Sequence, residues 1–193
     1  IEEFLALSPW PEGLNDVQKI HALWNYELAV QPEQFWPYLI NTSKLNKDLG
    51  YDSIEYFEVD GVRHGRCGEG KYYQEWEERP WEWHYCRSLA RLREFHVGPI
   101  AYNRTALIIE PNQNGKGMRL SVYIGSIPNH PLAEKYMAVF FAKFEARYQQ
   151  QFKRYEEEIV SGVKASQDAN LEPNAERILN GILERYKEEN LNV

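Results

Sequence analysis

One stretch of this chain restricts its possible folds more than any other. Over residues 131–159 apolar side chains recur every three or four positions: Leu132, Tyr136, Phe140, Phe144, Tyr148, Phe152, Tyr155 and Ile159. Met137 and Phe141 widen the stripe. That period belongs to one amphipathic α-helix of about 29 residues, roughly 43 Å long at about 1.5 Å per residue. The spacing is nearer four than three and a half, which excludes a coiled-coil seam. A helix so long and so aromatic on one side needs a broad apolar surface to lie across.

The preceding residues supply such a surface. Over 20–30 the pattern alternates, with Ala22, Trp24, Tyr26 and Leu28 on one face and His21, Leu23, Asn25 and Glu27 on the other. Period two with aromatic enrichment predicts a half-buried strand. Pro32 and Glu33 then open a short helix with Phe35, Trp36 and Leu39 inward. A second short helix follows, with Thr42 or Ser43 as its cap, Leu45 and Leu49 inward and Gly50 at its end. Beyond it, 54–59, 62–67, 71–77, 81–88, 90–97, 101–110 and 118–125 read as strands of an antiparallel meander. Asp60-Gly61 is a two-residue hairpin signal, and Gly98-Pro99 and 112–117 are further turns.

A sheet that must bury one face, followed by the one element able to cover it, predicts an α+β fold. The expected form is a curved antiparallel sheet of about six to seven strands wrapped on a long C-terminal helix, with two short helices after the first strand. Residues 1–18 read as a lead-in with a Pro-rich turn, and 19–161 as the domain. Residues 162–193 read as a polar linker and a C-terminal amphipathic helix over 174–189. That last helix, striped by Ile178, Leu179, Ile182, Leu183 and Tyr186, is expected to dock on the domain, or to contact a following domain or a second subunit.

Charge narrows the partners. Twenty-two basic residues stand against 29 acidic ones, a net charge of −7. Nucleic-acid affinity comes from clustered Lys and Arg, so no nucleic-acid partner is expected. No run approaches about 18 uninterrupted apolar residues, so no integral membrane segment is expected. The first ten residues carry two acids and no basic n-region, which is not the pattern of a secretory leader. The two cysteines, Cys67 and Cys86, make no disulfide scaffold and fit a reducing cytoplasm. The chain opens on Ile1 rather than Met, as a piece of something longer would.

Four groups of residues invite chemistry. Trp76, Glu77, Glu78, Pro80, Trp81, Glu82 and Trp83 are the densest aromatic–acid cluster. Two carboxylates in an apolar pocket would have raised pKa values and serve as acid and base. Alternation instead puts Glu75 and Glu77 opposite Trp76, with the Trp side chains packing and the Glu side chains facing water. His64, Cys67, His84 and Cys86 have zinc-type side chains without zinc-type spacing, so no metal and no cofactor are expected. Gly65, Gly68 and Gly70 precede strand rather than helix, and read as a bend or bulge, not a phosphate loop. Arg91, Arg93 and Phe95 share one strand face, where an Arg either orients a ligand carboxylate or phosphate or pairs with Glu75 or Glu77 across the sheet.

The order of elements resembles the helix-grip fold of the START-like superfamily, which includes lipid-transfer domains, the birch-pollen-allergen proteins and polyketide cyclases. Three motifs narrow the likeness: His21-Ala-Leu-Trp-Asn-Tyr-Glu-Leu with the segment Pro32 to Gly50, Trp76-Glu-Glu-Arg-Pro-Trp-Glu-Trp83, and Arg93-Glu-Phe-His-Val-Gly-Pro99. Together they resemble the START-like domain at the N-terminus of certain bacterial class III adenylate/guanylate cyclases, over about residues 20–160. The resemblance implies a non-catalytic sensory or regulatory module that binds a small hydrophobic molecule or lipid. A class III catalytic domain with its two metal-binding aspartates is not expected here, because Asp16, Asp48, Asp52, Asp60 and Asp168 are scattered over turns and linkers.

In a helix-grip protein the ligand lies between long helix and sheet. The expected contacts are Tyr26, Trp36, Tyr73, Trp83 and Arg93 from the first half of the chain. Leu107, Val122, Met137, Phe141 and Phe144 complete the set. Two rival readings stand beside this one. A polyketide cyclase/dehydrase-like enzyme would converge Tyr26, Tyr73, His84 or Arg93 on one point. A protein-interaction module would have its core filled by aromatics.

Overall fold

The computed structural model describes residues 1–51, 53–70, 73–112, 115–129 and 131–163, with Asn180, Gly181, Glu184 and Glu188. The helix expected over 174–189 lies almost wholly outside these described residues. Helix α1 (Glu2–Leu7) comes first, then strand β1 (Ile20–Leu28), α2 (Pro32–Ile40) and α3 (Thr42–Asp48). Strands β2 (Glu55–Val59), β3 (Val62–Cys67), β4 (Gln74–Glu78), β5 (Glu82–His84), β6 (Ser88–Val97), β7 (Ile100–Pro111) and β8 (Met118–Pro128) follow, and α4 (Pro131–Ser161) closes the order.

The strands make one antiparallel sheet in the order β1-β8-β7-β6-β4-β3-β2, with β5 on a side path against β6. Antiparallel neighbours build the run from β2 to β8, consecutive in sequence except where β5 intervenes between β4 and β6. Asp60 and Gly61 turn the first hairpin, both at positive φ (51° and 79°), as a type I′ connection requires. Strand β1 pairs with β8 at the far edge, Trp24 opposite Val122. Helices α2 and α3 therefore carry the chain from one edge of the sheet to the other.

Local chemistry sets these helices. Pro32 takes the first turn of α2, and Gln34 Oε1 accepts a hydrogen bond from the Gln31 amide at 3.0 Å. The cap of α3 is Asn41 rather than Thr42 or Ser43: its Oδ1 accepts from Lys44 N at 3.1 Å, and Thr42 is the first helical residue. Gly50 follows α3 at φ +87°. Two side chains of α4 hold the end of α3. Arg147 donates to the Asp48 and Leu49 carbonyls at 3.3 and 3.4 Å, a cation placed on helix-terminal carbonyls. Tyr155 donates to the Asp48 carboxylate at 2.6 Å.

The long helix is unbroken and lies on the concave face. There Trp24, Tyr26, Leu28, Leu120 and Val122 of the sheet meet Phe141, Phe144, Tyr148 and Phe152 of the helix in one core. The rings interlock: Trp24 meets Phe141 edge-on at 6.3 Å, and Tyr26 meets Phe152 at 5.1 Å.

The convex face is covered as well, and alternation along the strands did not foresee it. Residues expected as a lead-in fold back over β6, β7 and β8. Phe4 packs with Ala90, Ala106, Ile108 and Tyr123, and Trp10 with Leu92 and Ile127. Arg104, buried on this side, donates its Nη1 to the carbonyl and hydroxyl oxygens of Ser8 and lies 5.2 Å from the centre of the Trp10 ring. Because both faces are covered, β7 and β8 are buried in continuous runs, Arg104–Ile109 and Leu120–Ile127.

Candidate functional site

Strand β6 carries the chemistry. Leu89, Arg91, Arg93 and Phe95, at every second position, share the face that meets α4. The antiparallel register sets Arg93 opposite Glu78 of β4 and Asn103 of β7, and Arg91 opposite Thr105. The Glu78 side chain is fully buried. Its Oε2 accepts from Arg93 Nε at 2.9 Å, and its Oε1 accepts from Trp81 Nε1 at 2.8 Å. Arg63 Nε approaches the same Oε1 at 3.5 Å. Arg93 also donates from Nη2 to the Tyr56 hydroxyl at 2.9 Å, which accepts from Asn46 Nδ2 at 2.6 Å. Its guanidinium lies 4.8 Å from the centre of the Trp76 ring. Trp76 in turn lies over Gly65, where a Cβ would stand 2.4 Å from the indole, so only glycine fits beneath it.

This arrangement corrects two expectations. Arg93 pairs with Glu78, not with Glu75 or Glu77. Glu78 does not face water: it shares the Trp76 face, because both sit at even positions on β4. Nor is its pKa raised. Burial alone would push the carboxyl up, but the charges of Arg93 and Arg91 and the hydrogen bonds from Trp81 and Arg93 hold it at about 2. Glu78 is therefore an ionised anchor at neutral pH, not a proton donor. Arg93 is held above its ordinary value: burial opposes its charge, and Tyr56 and Glu78 outweigh burial.

Next to this cluster a cavity of about 90 Å³ opens between sheet and helix. Its helix wall is Met137, Phe140, Phe141, Phe144 and Tyr148. Its sheet wall is Trp76, Arg91, Arg93, Asn103, Thr105 and Ile124. Tyr51, Ile54 and Ile100 line it as well. A second void of about 10 Å³ lies further along, between Arg91, Leu107 and Phe152. The helix aromatics take up most of the space between the layers. Phe140 stacks on Phe144 at 4.8 Å, and Phe144 meets Tyr148 at 5.0 Å. A water needs roughly 10–15 Å³ of such volume, so the cavity takes a molecule on the order of ten heavy atoms.

Of the side chains expected to touch a ligand, Arg93, Met137, Phe141 and Phe144 line this cavity. Leu107 borders only the smaller void. Val122 is sealed in the core. Tyr26 is buried nearer the other end of α4, its hydroxyl 3.4 Å from the Glu145 carbonyl. Trp36 packs on the exposed Trp83 at 6.3 Å, outside the cavity. Tyr73 donates to the Glu75 carboxylate, and His84 is exposed. Tyr26, Tyr73, His84 and Arg93 thus do not converge. Arg91, Asn103 and Thr105 were not in the expected set, although the Arg91–Arg93–Phe95 alternation had marked Arg91 for the same face. Among the described residues no three or more His, Cys, Asp or Glu side chains are placed to hold a metal ion. None of their helices is long and apolar enough to cross a membrane.

No protein-family model matches the chain, and no curated protein matches it. Solved structures do. The ZhuI aromatase/cyclase from Streptomyces sp. R1128 is similar with a TM-score of 0.59 at 10% identity, over 74% of this chain and 96% of that one. The fold is the helix grip. Ara h 8.0201 is similar with a TM-score of 0.50 at 16% identity, over 75% and 99% of the two chains. The two-domain aromatase/cyclase StfQ of the steffimycin biosynthetic pathway gives a TM-score of 0.56 at 10% identity, over 75% of this chain and 53% of that one. At these identities the likeness is one of helix-grip architecture, and function is read from the cavity itself.

Proposed function

We propose that this helix-grip chain is a ligand-binding module whose cavity between α4 and the concave sheet takes a small, largely apolar molecule. The observation that carries this reading is the wall itself: a row of helix aromatics faces a strand row that includes the buried Arg91 and the largely buried Arg93. A core built only for stability has no need of two guanidinium groups, since burying charge costs more than apolar packing of the same volume. The volume favours a small molecule over a lipid. Thermal denaturation against a panel of small aromatic and aliphatic compounds, with native mass spectrometry of the purified protein, tests the reading. A melting point raised by members of the panel supports it. No shift with any of them, and no co-purified molecule, points instead to an interaction module with a filled core.

The regulatory role is part of the same proposal. Residues 19–161 form the sensory domain of a nucleotide-cyclase-type signalling protein in the cytoplasm, and 162–193 lead onward from it to a following domain or a second subunit. The three motifs that resemble the cyclase-associated domain support this. A ligand that binds one packing of α4 better than another shifts what α4 leads into, by as much as its two affinities differ.

A polyketide cyclase/dehydrase-like activity is the second reading. Arg91 and Arg93 beside an apolar wall favour it, because a guanidinium stabilises an enolate oxygen. Turnover of a poly-β-carbonyl substrate that is lost in Arg91→Met would establish it.

A further inference from the structure

We propose that the cavity takes a small carboxylate, its oxygens accepting from the Arg91 guanidinium and its apolar remainder lying against the aromatic side of α4. This rests on the reading of the cavity as a ligand site. Arg91 is 8% exposed and lines the cavity. Its side chain makes no hydrogen bond to any described residue, and its Nη1 is wholly enclosed without a partner.

No neighbouring oxygen stands where Arg91 Nη1 could donate to it. Glu78 already takes Arg93, Trp81 and Arg63. The Asn103 amide donates to Ser126 Oγ at 3.0 Å, and its Oδ1 accepts from Thr105 Oγ1 at 3.4 Å. Burial and the adjacent Arg93 charge push the Arg91 pKa down and Glu78 opposes them, but a guanidinium stays protonated at neutral pH. The buried wall thus holds two guanidinium groups against one carboxylate, an excess of one positive charge. A fork of N–H donors matches a planar carboxylate in two parallel hydrogen bonds. A single excess charge and about 90 Å³ suit a monoanion of benzoate size better than a phosphate dianion.

The experiment titrates the full chain by NMR with two matched pairs at neutral pH: benzoate against benzyl alcohol, and hexanoate against 1-hexanol. Each acid is expected to bind at least about tenfold tighter than its alcohol and to shift the Arg91 Nε–Hε signal. In Arg91→Met the acid preference should fall to within about twofold while the alcohols still bind. Arg91→Gln, which keeps polarity without charge, repeats the measurement should the Met variant fail to fold. Equal binding of acid and alcohol by the native protein, or a preference that survives in Arg91→Met, overturns the carboxylate assignment and leaves the ligand-binding reading standing. Failure of all four compounds to bind, with no shift across the wider panel, overturns both.

Discussion

Two arginines reach into opposite faces of the same sheet and meet different surroundings. On the convex face Arg104 is anchored at Nη1 by the carbonyl and hydroxyl of Ser8 and lies near the Trp10 ring, although its Nε has no partner. On the concave face the Arg91 side chain has neither a hydrogen bond nor an overlying ring among the described residues, and it borders a cavity. The first is a fastening. It holds residues 8–10 against β7, so the convex face is sealed by its own chain. The second is a group whose surroundings were never completed by the fold. A buried cation without an acceptor lowers stability, so its presence on one face only marks that face as the one shaped for something besides packing.

Substitutions can break or sharpen this contrast. Glu78→Gln should have the largest effect. It removes the carboxylate that faces Arg93 and leaves the buried Arg91 and largely buried Arg93 guanidinium groups uncompensated, a loss of about 4 kcal/mol in urea unfolding. Trp10→Ala should cost about 3–4 kcal/mol by opening the convex seal. It should leave benzoate affinity at the concave cavity unchanged.

Acid should reproduce part of the Glu78 effect. The folded carboxyl is held at about 2 against an ordinary value of 4.5. Its stabilisation is therefore complete above about pH 4.5 and is lost as pH falls toward 2, an amount of about 3 kcal/mol. Urea midpoints measured across that window should fall in the native protein and lose this component in Glu78→Gln. The smallest effect has the opposite sign. Arg91→Met should raise stability by about 1 kcal/mol, since an apolar side chain of similar length suits the site better than an unpaired cation. The same exchange at Arg104 should lower it, because the Ser8 oxygens lose their donor.

The concave half of this picture was legible in the residues, because it rests on periodicity. The 3.6-residue period announced α4, and the two-residue period of β1 put Trp24, Tyr26 and Leu28 against it. The same rule, carried one residue beyond Glu77, would have put Glu78 beside Trp76. Register was not legible. Nothing local to β6 says that Arg93 meets Glu78 or that Arg91 meets Thr105, since those pairings are set by how far each hairpin slides. The convex seal left one sign, the unbroken apolar run Ala106-Leu107-Ile108-Ile109, which is the pattern of a strand covered on both faces. A half-open sheet would have spaced those residues with polar ones.

Strand β1 spends its early life without a neighbour. Its partner β8 lies almost a hundred residues downstream, Trp24 meeting Val122 and Tyr26 meeting Leu120. On a chain made from its N-terminus, the hairpins from β2 onward can close while β1 waits with an apolar face and an unsatisfied edge. The eighth strand of the sheet thus completes the first, and such distant closure is slow and open to mispairing. The meander can assemble early, but the edge on which α4 leans exists only once β8 has been made.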